Sequence, residues 1–440
     1  MGINEFKQKL FQKAEEIGFT NYELSYSNSE SFKAEIYEGA VSKYSNSTTA
    51  SVSFRGLYNG KMGYCSGDRV DEIGIDFLIL EALKNAEVKE DEDEYLYEGD
   101  SSYPEIPKIS KALLEISAKE KIDFGKSLER EAKALDKRIQ AIDYCVVQNS
   151  ISKHTLANSY GLDLSYESGS ALAYVGARAV EEDKVALGLE LFSGRDFEKL
   201  NTKEIAKKAV DNAIAELGST SVESGEYKII IENTTAGSLI STFVSNFFAE
   251  TAQKGLSMLN GKLNEKIASD KITIRDDYMH EKSTYARSFD SEGVSCKNKV
   301  VVENGVLKTF LHNLKSSKKD GVAPTGNGIG SSTSYINFYV EPSGEDLDSL
   351  LAKMDNGILI TSLSGLHSGA NPISGDFSLQ SKGFLIENGK KAAPIKNFVL
   401  SGNFYKMLKD VEQVASDLDF EYGSIGSPSL WVKGLVVAGE

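Results

Sequence analysis

Residues 364–390 read SGLHSGANPISGDFSLQSKGFLIENGK. Gly365, Gly369, Gly375, Gly383 and Gly389 surround an Asn371-Pro372 pair, a Gly-Asp-Phe-Ser segment and an Asn388-Gly389 turn. Glycine at this density marks backbone at positive φ, or backbone approached closely by another chain. The proline ring drives Asn371 away from helix, so a turn starts there. Phe384, Leu385 and Ile386 then enter a hairpin closed by Asn388-Gly389. The stretch therefore predicts strands joined by a loop with exposed amides and hydroxyls. Such a loop is either a plain connection or a surface that touches a ligand. On the second reading Gly369 and Gly375 permit close approach of a peptide backbone. Asn371, Asp376 and Ser378 supply hydrogen bonds, His367 supplies an imidazole, and Phe377 lies among them.

Outward from this loop the second half continues as strands punctuated by Gly-rich turns from Ile272 onward, including a Glu303-Asn304-Gly305 hairpin. It opens with a strand over 227–231 and a helix over 235–251. That helix carries Leu239, Ile240, Phe243, Val244, Phe247 and Phe248, more apolar residues than one stripe hides. They are expected either in a core or at a subunit interface. A last helix over 403–414 precedes a strand over 431–437. The first half begins with a helix capped by Asn4, with Phe6, Leu10, Phe11, Ala14 and Ile17 on one face and Gly18 as its stop. Tyr22, Leu24 and Tyr26 alternate, as do Phe32, Ala34 and Ile36, and Val52 with Phe54; Asn59-Gly60 turns the chain into Met62 and Tyr64. A helix over 70–85 presents Ile73, Phe77, Leu80 and Leu83. The acidic run over 87–100 reads as a solvated excursion. Helices over 121–135 and 203–217 flank strands over 139–149, 152–158 and 171–178. The boundary falls at Gly225, giving an N-terminal domain 1–225 of helices with an antiparallel meander, and a C-terminal domain 226–440 that is mainly antiparallel β with a few helices. The fold class is α+β.

At 440 residues the chain exceeds one ordinary core. Lys and Arg number 49 against 65 Asp and Glu, and 49 − 65 = −16, which opposes binding to a phosphate backbone. No apolar run approaches a membrane span, and MGINEFKQKL lacks the apolar centre of a signal peptide. Cys65, Cys145 and Cys296 stand far apart, which fits a reducing, cytoplasmic setting.

Several segments together resemble the TldD/PmbA (TldE) family, described as modulators of DNA gyrase and classed as peptidases. They are the glycine-rich loop, Phe289-Asp290-Ser291-Glu292-Gly293-Val294, the hairpin at 302–307, Thr325-Gly326-Asn327-Gly328, and the ending at 427–430 and 437–439. Weaker matches are Asn158-Ser159-Tyr160-Gly161 and 59–64. The resemblance covers nearly the whole chain, in order. Its active members hold zinc with His-Glu-x-x-x-His on the first helix of the second domain and a later cysteine. Gly255-Leu256-Ser257 and Ala268-Ser269-Asp270 align with family residues C-terminal to that motif, which places it within 237–246, GSLISTFVSN. That segment has no His, Glu or Cys, and residues 421–431 have no Cys.

No replacement set is evident. His154, His280, His312 and His367 show no paired spacing; His280-Glu281 near Asp276-Asp277 reads as an exposed polar loop. Ser378 and Cys296 lack a recognisable base, and the loop at 325–330 lacks a Gly-Lys-Ser/Thr phosphate motif. The expectation is no catalytic residue and no metal in this chain. The resemblance implies the PmbA/TldE branch: a metal-free partner of a TldD-like, zinc-bearing subunit, acting on unfolded or extended peptide, and a homodimer when alone. The competing readings are a stand-alone peptide- or partner-binding protein and an independent hydrolase.

Overall fold

The computed structural model describes residues 1–90, 95–420 and 423–439. Helix α1 (Ile3–Ile17) buries Phe6, Leu10 and Ala14 and stops at Gly18, at φ 104°. Its N-cap is Gly2 rather than Asn4, because the Gly2 carbonyl already accepts from Phe6 N–H. Strands β1 (Asn21–Tyr37), β2 (Ala40–Tyr58) and β3 (Lys61–Gly67) come next. Asn59 and Gly60 both sit at positive φ between β2 and β3, as a two-residue hairpin requires. Helix α2 (Glu72–Val88) starts at Asp71, which accepts from Gly74 N–H. It packs through Ile75, Leu78, Ile79 and Ala82, while the expected face is turned out: Ile73, Phe77 and Leu80 are exposed. The helix is apolar on both sides, so periodicity alone selects the wrong one.

Helices α3 (Lys111–Glu115) and α4 (Ala118–Leu135) lead into β4 (Ile139–Asn158), β5 (Asp163–Glu181), β6 (Lys184–Gly194) and α5 (Thr202–Leu217). One six-stranded sheet results, ordered β3-β2-β1-β4-β5-β6, with every neighbouring pair antiparallel. β1 and β4 run unbroken where separate shorter strands are expected, because their polar middles still pair on both sides. The helices cover the face bearing Leu24, Ile36, Val147 and Ala173. The opposite face is rich in hydroxyls, in rows set by the register: Ser27, His154 and Tyr166; Ser29, Ser152 and Ser168; Ser31, Ser150 and Ser170.

The second half holds β7 (Gly225–Ile231), α6 (Asn233–Phe243), a 3-10 turn (Val244–Phe247) and α7 (Ala249–Gln253). Then come β8 (Ile274–Asp276), β9 (Lys299–Glu303), β10 (Val306–Leu307), α8 (Leu314–Asp320), β11 (Gly328–Ile329), β12 (Ser332–Thr333), β13 (Phe338–Val340) and α9 (Leu347–Met354). Last are β14 (Gly357–Ser364), β15 (Asp376–Glu387), β16 (Lys390–Asn403), α10 (Phe404–Lys409), β17 (Val411–Val414), β18 (Ile425–Gly426) and β19 (Leu430–Ala438). The sheet β16-β15-β14-β7-β19-β17 closes on itself, since β16 also pairs with β19. The pairs β7–β14 and β13–β18 are parallel and the other named pairs antiparallel, so the chain is α+β.

Two expected helices differ. The one over 235–251 breaks after Phe243, where Asn246 Nδ2 donates to the Phe243 carbonyl and competes with the helical ladder. Leu239, Ile240, Phe243, Val244 and Phe247 are buried in the barrel core, which removes them from any subunit interface. The helix over 403–414 ends at Lys409, and the β-branched Val411 and Val414 pair with β19 instead.

The acidic excursion lies partly at 91–94, outside the described residues. Its continuation joins the two halves rather than standing in solvent. Leu96 is buried, Lys318 lies 4.4 Å over the Tyr95 ring, Asp100 accepts from Ser295 N–H at 2.8 Å, and the Tyr103 hydroxyl donates to the Gly293 carbonyl at 2.8 Å.

Candidate functional site: a cleft between α6 and the glycine-rich loop

α6 buries one side and turns the other toward a cleft of about 570 Å3. Gly237, Ser238, Ser241 and Thr242 line it, the spacing of one helical face. Leu366, His367, Ala370 and Pro372 face them from the loop; Tyr335, Asp419 and residues 423–425 complete the wall. The start of α6 is pinned by Asp417, which accepts from Ser429 N–H and Oγ while its carbonyl takes the Asn233 side chain. Glu232, at the N-cap, is held above the usual carboxylate range by burial. Asn246 ties the end of the helix to the loop: it donates to the Pro372 carbonyl at 2.9 Å and accepts from the Tyr405 hydroxyl at 2.8 Å.

Of the residues expected to touch a ligand, His367 reaches the cleft. The others form a turn bonded within itself. Asn371 Oδ1 accepts from Ile373 and Ser374 N–H. Asp376 accepts from Ser374 Oγ and Asn403 Nδ2, and the Asn403 and Ser374 bonds hold its carboxyl below the usual range. The Gly369 carbonyl accepts from Ser378 N–H, and the Ser378 hydroxyl meets that of Ser401. Phe377 is buried near Phe243. Gly375 stands at φ 83°, where an added Cβ would lie 2.5 Å from the Tyr405 ring. Tyr335, Asp419 and Ser424 carry no signal in the sequence, because they come from loops with no motif of their own and meet α6 only through the fold.

Other candidate chemistry becomes structural here. His280 is not on an exposed loop: it packs between Tyr339 and Phe420, 4.9 Å from each, and burial lowers its pKa. Asp276 is fully buried and taken by Asn327 Nδ2, Ile336 N–H and Lys299. His312 is buried, its backbone held by Thr325. The Cys296 thiol is buried and pushed far up, the reverse of an activated nucleophile. Asp290 accepts from Gly328, Glu292 and Val294 N–H, and Glu292 accepts from Leu314 N–H. Burial raises Asp290 to about 6 and Glu292 to about 8. Gly328 is glycine because a Cβ would fall 2.2 Å from Glu292. The Asp-x-Glu-Gly and Thr-Gly-Asn elements thus make one knot.

Among the described residues no three His, Cys, Asp or Glu side chains converge as metal ligands. In the cleft, His367 and Asp419 stand among hydroxyls, a donor set that does not fit four-coordinate zinc.

A closed barrel bearing this cleft and joined to a long-stranded sheet is the architecture of a metallopeptidase family. Residues 224–439 match the PmbA/TldA metallopeptidase C-terminal domain, 111–217 its central domain and 22–86 its domain 1. The chain belongs to the PmbA/TldD family. It is 27% identical over 426 residues to a metalloprotease of Archaeoglobus fulgidus, covering 90% of this chain and 92% of that one. It is 27% identical over 327 residues to a metalloprotease PmbA homolog of Haemophilus influenzae, covering 72% and 71%. Among solved structures, a Thermotoga maritima protein described as a putative modulator of a DNA gyrase superposes with a TM-score of 0.94 at 34% identity, over 99% of this chain and 100% of that one. TldE from Thermococcus kodakarensis gives 0.91 at 25% identity, with the same coverage.

Proposed function

We propose that this chain is the metal-free subunit of a two-subunit zinc metallopeptidase, holding unfolded or extended peptide beside a TldD-like subunit that carries the zinc. The observation that carries this reading is the cleft face of α6, with Gly237, Ser238, Ser241 and Thr242 in the segment where the family resemblance implies His-Glu-x-x-x-His. Hydroxyls and a glycine bind peptide amides but do not hold zinc. Backbone groups repeat in every residue, so such binding tolerates many sequences. Closure of the barrel leaves β7, β14 and β15 paired on both sides, so peptide is held by side chains in the cleft rather than by adding a strand there. Alone, the chain forms a homodimer. A cytoplasmic setting accords with three free, buried cysteines.

Co-expression with a zinc-bearing relative tests the reading. The expected result is a stable pair that hydrolyses unfolded peptide, with zinc in the partner only. About one tightly held zinc per chain of this protein alone, with turnover, would overturn it. Peptide binding without pairing would favour a stand-alone binding protein instead.

A further inference from the structure

The hydroxyl face of the first sheet holds a second cavity, of about 190 Å3, that peptide binding leaves unused. Its floor is set by the β4–β5 register: His154 lies opposite Tyr166, Ser152 opposite Ser168 and Ser150 opposite Ser170. Side chains alternate across a strand, so all six point to one face. Ser29 extends the floor onto β1, its hydroxyl 2.7 Å from that of Ser152. The roof is the loop 284–287, which brings in Arg287.

Arg287 is only partly exposed, yet among the described residues its guanidinium makes no hydrogen bond and no ion pair. The carboxylates nearby are engaged elsewhere. Asp290 accepts three backbone N–H groups, and Glu167 pairs with Lys153 on the other face of the sheet. A half-covered guanidinium with no hydrogen-bond or ion-pair partner, above hydroxyls that can each turn a proton toward the cavity, leaves donors available to an incoming anion. The volume falls below the roughly 300–1,000 Å3 of sites for drug-sized ligands, which suits a small group.

We propose that this cavity binds a phosphate-class oxyanion, free or as the phosphoryl group of a small molecule, with Arg287 as its cationic fork and Ser150, Ser152, Ser168 and Ser170 as hydroxyl donors. A planar carboxylate turns both of its oxygens to the fork, whereas a tetrahedral oxyanion has further oxygens that can point at the hydroxyls while two face the fork. His154 stacks on Tyr166, 4.9 Å away, at the edge of the same floor. Burial and then the Arg287 charge hold its pKa below the usual value, which favours the neutral ring. A bound dianion offsets the Arg287 charge and so favours a proton on the ring.

The test is thermal unfolding and calorimetric titration of the full chain with inorganic phosphate, O-phosphoserine, acetate and chloride at matched ionic strength. Inorganic phosphate or O-phosphoserine should raise the unfolding temperature, and acetate and chloride should not; the tighter of the first two names the source of the group. Arg287→Gln should weaken binding at least about tenfold, the loss expected for a charge-assisted bond. Ser152→Ala with Ser168→Ala should weaken it in the same direction. The His154 resonance, assigned with His154→Gln, should move on adding phosphate to the wild-type chain. Should Arg287→Gln fail to fold, Arg287→Lys keeps the charge without the fork and is expected to bind more weakly. An equal response to acetate, unchanged binding by the Arg287 variants, or a silent His154 resonance would overturn the proposal.

Discussion

Gly375 is where one side chain separates turn from contact. With φ at 83° and the Tyr405 ring 2.5 Å from an added Cβ, Gly375→Val should destabilise the chain by about 1–3 kcal/mol. Chemical denaturation reads this directly; partner binding and peptidase activity of the same variant then tell whether the loop also touches peptide. Glu292 carries the second prediction. Its carboxyl holds a proton to about pH 8 when folded, against 4.5 for an ordinary glutamate. The folded chain therefore binds more protons than the unfolded one across that window, and Asp290 adds to this up to about 6. Stability from these groups is present at low pH and is lost as pH rises through the window. Glu292→Gln keeps an acceptor for Leu314 N–H but cannot ionise, so its urea midpoint should fall less than that of wild type between about pH 5 and about pH 9. At this scale the sequence displayed turn chemistry well: Asn59, Asn304 and Asn388, each followed by glycine, all stand at positive φ. It could not display Asn246 or Tyr405, whose importance lies in a bond between residues far apart in the chain.

At the scale of elements, α6 and the loop form one unit through Asn246. Asn246→Ala removes both its donated bonds and leaves the Tyr405 hydroxyl without its acceptor, an expected loss of about 1–3 kcal/mol in thermal or urea unfolding. Most helices and the apolar ends of the long strands were legible because alternation and 3.6-residue periodicity arise directly from burying one side; the polar middles that make β1 and β4 continuous were not, and β6 (Lys184–Gly194) was missed. Legibility failed where burial gave no contrast. α2 has apolar residues on both sides, and the segment 235–251 carries a broad apolar face that runs on through Phe247 and Phe248, so neither the orientation of the first nor the break at Phe243 in the second could be read from pattern. The end of α10 is a contest between helix and the β19 edge, which only the assembled sheet decides.

For the whole molecule, the segment 95–103 fastens the first sheet, where Asn158 Nδ2 donates to the Tyr97 carbonyl, to the second half. Asp100→Ala should remove the Ser295 bond and cost about 1–3 kcal/mol, seen as a lower unfolding midpoint. A run of acidic residues disguised this role, since its charge pattern is that of a solvated arm while Tyr95, Leu96 and Tyr103 fasten it together with Asp100. The net charge of −16 leads to a further expectation at this scale: the chain should show no retention on duplex DNA at about 0.15 M salt in a gel-shift or filter assay. The α+β class was legible throughout, but closure of the barrel was not, because strand order depends on pairings between distant segments.

That closure dictates an order of events during synthesis. β7 lies between β14 and β19, so a strand that emerges from the ribosome at residue 231 waits for partners that end at 364 and 438. The six-stranded sheet, whose strands all precede residue 195, has its pairings available much earlier. Newly made chain is therefore expected to mature in two stages, with Ile229, Ile230 and Ile231 lacking their final neighbours until β19 arrives. Stalled chains ending before residue 430 should be protease-resistant in the first half and chaperone-bound or degraded in the second.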